Sequence, residues 1–351
     1  MIRARRVAQV AFLAVVVWLG VQFSLWAFAR MAGRTPALPR PAGIEGFLPI
    51  SALMSLRLAL AGRGIHPVHP AGVAILLAVL AMSAAVAKSF CSHLCPVGTL
   101  SEALGRLGAC MLGGNWVVPR WLDLGLRSLK YLLLAFFVWA TWHALDLAGV
   151  RSFLDSPYNR VADTKMLLFF AHASRLTVAV VGGLVVASIL VRDVWCRYLC
   201  PYGALLGLIG RLAPLKVTRN EATCIDCRRC TRACPARLPV HAMVRVASVE
   251  CSSCQDCVAA CPVRDCLAVR PPGRSGGVRL RPVVAVGAAL ALYLGVTLAF
   301  RATGHWRGSV SEAEYAQRLE KIDSPVYTHV GGIAAAGDGP QGALACSHGA
   351  R

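Results

Sequence analysis

Long apolar runs, separated by short polar or Pro/Gly-rich segments, set the pattern of this chain. Val7 to Ala29 follows the basic stretch Met1 to Arg6 and is long enough to cross a bilayer as a helix. The basic end is expected to stay inside, with the helix running outward. Ala27-Phe28-Ala29 has the small-residue look of a cleavage site. The run exceeds a usual signal-peptide core, however, and further spans follow, so a retained helix is expected. Arg30 to Gly46 reads as a loop. Phe47 to Ala61 is shorter, is interrupted by Arg57, and reads as an interfacial or re-entrant segment. Ala71 to Ala87, Tyr131 to Val150, Leu176 to Val191 and Pro282 to Phe300 complete an expected set of five spans. Arg151 to Ser174 is an outer connection, with helical character from Met166 to Ala173. Arg301 to Arg351 is an outer tail, Gly- and Ala-rich near its end and expected to be partly disordered.

Composition agrees with this pattern. Of 351 residues, 56% are hydrophobic and only 15% are charged, too apolar for a soluble chain of this length. The formal net charge is +20, yet it is unevenly spread. Trp195 to Arg281 carries fourteen Lys/Arg against five Asp/Glu, which places that segment inside. The basic balance is thus read as membrane orientation, and no nucleic-acid partner is expected. Arg30, Arg34, Arg40, Arg57 and Arg63 fall in the outer loop and run against the positive-inside rule, which points to lipid or partner contacts there.

Of the fifteen cysteines, eight form one pattern written twice. Cys224, Cys227, Cys230 and Cys234 are spaced C-x2-C-x2-C-x3-C and followed by Pro235. Cys251, Cys254, Cys257 and Cys261 repeat the spacing and are followed by Pro262. Zinc pairs are spaced differently, and a disulfide scaffold belongs to short secreted chains. Three closely spaced thiolates wrap one face of a cubane cluster, and the fourth comes from the other motif. The expected ligand sets are therefore Cys224, Cys227, Cys230 and Cys261 for one 4Fe–4S cluster, and Cys251, Cys254, Cys257 and Cys234 for the other. Such clusters need reduced thiols, so this domain is expected to be cytoplasmic. Cys266 reads as packing, and Cys110 and Cys346 as inert.

A second repeat runs at an offset of 105 residues. Phe90-Cys91-x3-Cys95-Pro96-x-Gly98-x-Leu100 matches Trp195-Cys196-x3-Cys200-Pro201-x-Gly203-x-Leu205, and Gly105-Arg106-Leu107 matches Gly210-Arg211-Leu212. Each C-x3-C-P ends a span and opens an amphipathic stretch. Two copies bring Cys91, Cys95, Cys196 and Cys200 to one edge of the bilayer as candidates for a third metal or iron–sulfur centre. Reversible dithiols and structural cysteines are the alternatives. His66, His69, His143 and His172 lie near outer ends of spans. One histidine per helix is too little for a haem, and none is expected.

The expected organisation is therefore a transmembrane domain over 1–214, a ferredoxin-like domain over 215–275, a fifth transmembrane helix over 282–300 and a periplasmic tail over 301–351. In fold class this is a membrane all-α region of about five transmembrane helices with an internal repeat, plus a cytoplasmic α+β bacterial-type two-cluster ferredoxin domain. From Ala71 to Ala268 the chain resembles the NapH-type membrane polyferredoxins. That group includes the membrane subunit of periplasmic nitrate reduction, the NosR regulators and the CcoG-type oxidase accessory proteins. It departs from the nitrate-reductase subunit pattern in its fifth span and outer tail. The resemblance implies a multi-pass protein of the bacterial cytoplasmic membrane. It would transfer electrons between the quinone pool, or a cytoplasmic donor, and a partner redox enzyme, as a subunit rather than a stand-alone enzyme. An assembly role, reducing a metal or thiol during maturation of a respiratory enzyme, and redox sensing are the alternatives.

Overall fold

The computed structural model describes residues 2–271 and 282–328. Helix α1 (Ile2–Met31) is thirty residues long, about 45 Å at 1.5 Å per residue. It is followed by α2 (Pro49–Leu60), α3 (Pro70–Ala85), a short α4 (Ser89–His93) and α5 (Pro96–Met111). Next come α6 (Arg120–Trp142), α7 (Leu147–Asp155), α8 (Pro157–Arg160), α9 (Ala162–Ala171) and α10 (Arg175–Leu190). A π-helical turn, Trp195–Leu199, leads into α11 (Pro201–Gly210). The ferredoxin segment holds β1 (Lys216–Arg219), α12 (Arg229–Ala233), α13 (Asp256–Ala259) and β2 (Leu267–Arg270). Helices α14 (Pro282–Ala302) and α15 (Glu312–Glu320) complete the described chain.

Among the described residues two helices are long and apolar enough to cross a membrane, within Ala4–Met31 and over Arg120–Trp142. The pair α9 and α10 adds a third if it is one span, bent by 82° at the break. Helices α2, α3 and α11, and the apolar part of α14, are shorter. Helices α1, α6 and α10 expose Trp18, Leu132, Phe136, Trp139, Leu176 and Val178, which in water would form costly apolar patches.

Helix α6 begins eleven residues before the expected Tyr131 and stops at Trp142 instead of Val150. The apolar run continues past that point, but the Asp146 carboxylate accepts the Gly149 N–H at 2.7 Å and caps a new helix, α7. The connection from Arg151 to Ser174 is also more helical than expected, since α7, α8 and α9 fill most of it.

Helix α3 is the buried centre, packed by α14, α2 and α11. Its Ala71, Gly72, Ala74 and Ala78 are buried, and small residues let neighbouring backbones close in. At the far end of α1, Phe23, Trp26 and Ala27 share a core with Tyr315, Leu319 and Ile322. Trp26 meets the Tyr315 ring edge-on at 5.3 Å. The first part of the expected tail is therefore folded onto α1. The rest of that tail, with Cys346, lies outside the described residues. Beside this core, Arg40 reaches Asp163 at 2.7 Å and Glu45 at 3.1 Å, both carboxylates being fully buried.

In the ferredoxin segment β1 and β2 pair antiparallel, Lys216 opposite Arg270 and Arg219 opposite Leu267. Val217, Val240, Val246, Leu267 and Val269 form the core beneath the cysteine loops.

Candidate functional site

The two ferredoxin-type loops have the same backbone. Asp226 and Arg228 in the first, and Ser253 and Gln255 in the second, take left-handed φ values of 45°, 57°, 53° and 63°. These residues stand at matching places, one before and one after the middle cysteine of each loop. Non-glycine residues seldom adopt this conformation, and it persists where surroundings impose it. Here it turns the chain around a point: the Asp226 N–H bonds the Cys224 sulfur, and the Ser253 N–H bonds the Cys251 sulfur. Arg228 and Gln255 then precede α12 and α13, which carry Cys230 and Cys257.

Two cavities follow. One is lined by Cys234, Cys251, Cys254 and Cys257. The other is lined by Cys224, Cys227, Cys230 and Cys261, with Cys266 and His241 beside them. Cys266 is buried, its Sγ lies 3.6 Å from the Asn220 carbonyl oxygen, and it also bonds Cys224. Burial pushes the Cys251 thiol up to about 11 and the Cys254 thiol up to about 12. Such thiols favour the thiolate form once a cationic metal core is present. Among the described residues, no three His, Cys, Asp or Glu side chains are gathered tightly enough for a single ion. A cubane spreads its thiolates farther apart, so the donor sets fit a cluster better than a lone metal.

The C-x3-C-P cysteines sit on paired short turns. Cys91 is carried by α4 and Cys196 by the π-helical turn. Cys95 and Cys200 are the N-caps of α5 and α11, and their sulfurs accept the Gly98 and Gly203 N–H groups at 3.4 Å and 3.2 Å. Pro96 and Pro201 occupy the first helical position, where a missing N–H costs little. Gly98 is required by close approach, because a Cβ there would stand 2.3 Å from the Cys91 carbonyl oxygen. The four thiols lie within range of one another's charge, Cys196 feeling Cys91, Cys95 and Cys200. Helix α5 packs on α10, where a Cβ on Gly105 would meet Arg192, and α11 packs on the turn after α3, where one on Gly210 would meet Ala87.

The residue after the first cysteine of each turn reaches a different ferredoxin loop. Ser92 Oγ donates to the Ser252 carbonyl at 2.6 Å, and Arg197 Nη1 donates to the Pro235 carbonyl at 3.0 Å. Both acceptors border the cavity of Cys234, Cys251, Cys254 and Cys257. Arg197 is held in turn by Asp123 through paired bonds of 2.7 Å and 2.9 Å, and Tyr198 donates to the same carboxylate at 2.7 Å. Lys130 and Tyr131 on α6 bind Glu250 at 2.5 Å and 2.9 Å. Between these contacts lies a charged, half-open cavity bordered by Cys91, Cys196 and Cys254. Sequence reasoning did not find Arg5, Asp123, Arg197 or Glu250, whose partners are remote in the chain. Their one signal is the placing of charge beside apolar spans.

The remaining candidates lie elsewhere. Cys110 is exposed. His143 and His172 are exposed, while His66 faces Asp155 at 3.2 Å and His69 faces Glu45 at 3.5 Å.

A model described as a 4Fe-4S binding domain matches residues 68–119 and 176–220, and a 4Fe-4S dicluster domain matches 216–262. YccM of Escherichia coli K12, named for electron transport, is 43% identical over 247 residues, covering 70% of this chain and 69% of its own. The regulatory protein NosR of Pseudomonas aeruginosa is 30% identical over 146 residues, 41% of this chain but 20% of NosR. NirI of Paracoccus denitrificans is 29% identical over 147 residues, 41% of this chain and 21% of NirI. No solved structure matches. The chain thus belongs to the membrane-associated 4Fe-4S ferredoxin-type electron transport proteins, the family that includes YccM.

Proposed function

We propose that this chain conducts single electrons between the membrane edge and the far face of its ferredoxin domain. It would link the quinone pool, or a cytoplasmic donor, to a partner redox enzyme. Cys234, Cys251, Cys254 and Cys257 would hold a 4Fe–4S cluster near the membrane, and Cys224, Cys227, Cys230 and Cys261 a second one farther out. Cys91, Cys95, Cys196 and Cys200 would hold a third centre. Bound cubanes supply one-electron chemistry. The protein's part is to fix their spacing, to exclude water from the buried thiolates and to supply charge around them.

One observation carries this reading. Ser92 and Arg197, each next to a C-x3-C-P cysteine, are bonded to backbone carbonyls bordering the cavity of Cys234, Cys251, Cys254 and Cys257. The three cysteine sets then form a series, with the four membrane-edge thiols at one end.

The same contacts support the membrane plan. Arg5, near the start of α1, lies against the ferredoxin loops, and Arg30 near its other end pairs with Glu312. The start of the chain and the ferredoxin domain would thus share the cytoplasmic side, with the segment after α14 on the periplasmic side. That plan uses five spans, with α3 as a shorter, protein-buried member and α14 packed against it, and the domain limits 1–214, 215–275, 282–300 and 301–351. A periplasm-specific reporter fused after Arg351 should be active, and activity of a cytoplasm-specific reporter there would refute the plan.

The central test is an EPR-monitored redox titration of purified protein with iron counted per chain. Signals from two cubanes, together with iron beyond their share, support the series. Full quinone-linked electron flow in a Cys91→Ser, Cys196→Ser double variant would remove the membrane-edge centre from it.

A further inference from the structure

Lys88 is a largely buried lysine at the membrane edge that lines the charged cavity, without a carboxylate of its own. Its side chain is only 6% exposed, so it does not reach out to water as a lysine at a helix end usually does. Its Nζ flanks Gly203, 3.3 Å from where a Cβ would stand, and the Cys200 sulfur flanks the same point at 3.5 Å. Among the described residues nothing bonds Lys88 as an ion pair, and Glu250, the acid within its range, is held by Lys130 and Tyr131. A cation confined to a cavity wall without an ion pair favours an anion in that cavity.

The turn that presents this lysine is rigid. Ala87 before it has a left-handed φ of 44°. Gly210 of α11 packs so closely that a Cβ there would stand 2.9 Å from the Ala87 carbonyl carbon. Lys88 lines the charged cavity together with Cys91, Cys196 and Cys254. Its charge also reaches Cys91 and Cys95 on one side and Cys251 on the other. Three residues before Cys196, the other C-x3-C-P turn has Asp193 in the same place, with Arg192 beside it at 3.6 Å. The Asp193 half thus carries its own counter-ion, whereas among the described residues the Lys88 cation of the Cys91 half has no ion pair.

We infer that Lys88 is the counter-cation shared by the four membrane-edge thiolates and the adjoining cluster cavity, and that it sets the reduction potential of what they hold. This rests on the proposed function above. A fixed positive charge in a low-dielectric site favours the reduced, more negative form, and so raises the potential.

The test uses the full chain purified in detergent, with Lys88→Met, Lys88→Gln and Lys88→Arg. Iron per chain is measured first, so that loss of a centre is separated from tuning. With iron unchanged, both neutral variants should lower the midpoint potential of the membrane-edge centre and, less strongly, of the cluster beside Cys251. The cluster at Cys224 should not move, and Lys88→Arg should stay near wild type. Unmoved potentials in both neutral variants would overturn the inference, as would equal shifts in all three variants. Wild-type protein with iron for two cubanes only would refute the third centre instead. Lys88 would then be judged on the Cys251 side alone, where an unmoved potential overturns it.

Discussion

Arg5 Nη1 donates to the Cys254 carbonyl oxygen at 3.1 Å, joining the first turns of the chain to a cluster loop 249 residues away. The same guanidinium meets Glu102 at 2.6 Å and Asp256 at 3.2 Å, with its own side chain 6% exposed. Arg5→Ala leaves Glu102 with Arg106 and Asp256 with Arg192 as the remaining cations, a loss of about 1–3 kcal/mol. Faster protease cleavage within the ferredoxin segment is the expected readout. Burial pushes the Glu102 carboxyl up, but Arg5, Gln9 and Arg106 outweigh it and hold its pKa below the ordinary value. Its stabilisation is therefore present above about pH 4.3 and lost as pH falls through the depressed pKa. In Arg5→Ala, acid release of the domain should begin at higher pH.

Asp123 is the acceptor for Arg197 and Tyr198, and Arg127 lies 2.6 Å away. Asp123→Ala should cost about 3–5 kcal/mol, because Arg197 would stay buried without its partner. Arg197 also positions the loop at Pro235, so the EPR line shape of the cluster beside Cys234 should broaden before iron is lost. An unchanged line shape and melting point would show that the pair is dispensable.

Close helix contact gives a third prediction. A Cβ on Gly108 would lie 1.8 Å from the Ile189 carbonyl oxygen, so Gly108→Ala must push α5 away from α10. Overpacking of this kind costs about 1–3 kcal/mol or more. Gly125→Ala in α6 meets nothing within 4 Å and serves as a control, neutral or stabilising by about 0.5–1 kcal/mol. Detergent melting curves of the two variants should move in opposite directions or differ clearly in size.

The cavities make a fourth prediction about crossed ligands. Cys234→Ser should damage the cluster of Cys251, Cys254 and Cys257 and spare the one of Cys224, Cys227 and Cys230. Loss of the other signal instead would reverse the assignment. Cys266 stands beside Cys224 in the second cavity, and Cys266→Ser should leave both clusters in place. Iron chelation should unfold the segment 215–271 more readily than the helices, since metal binding there is coupled to folding.

The iron–sulfur character and the family were legible in the sequence because cluster ligation is local. Three thiols two residues apart admit few other structures. Helix α1 was legible for a similar reason, since an apolar run sets its own length. The end of α6 was hidden because Ala144, Leu145 and Leu147 continue the apolar run, while the break depends on one capping bond from Asp146. The ion pairs of Arg5, Asp123, Arg197 and Glu250 left no trace, because charge spacing records no partner. Lys88 reads in sequence as an ordinary inner-end lysine, and only its burial gives it another meaning.

Helix α1 is gripped at both ends by segments made much later. Trp26 Nε1 and Arg30 both bond Glu312, 286 and 282 residues onward. A ribosome producing about 5–20 residues per second takes tens of seconds to cover that distance. During that interval the buried surfaces of Phe23, Trp26 and Ala27 have no Tyr315 or Leu319 to cover them. Helix α1 is therefore among the last elements to settle, and its Trp26 end is a natural place for an insertase or lipid to shelter the nascent chain.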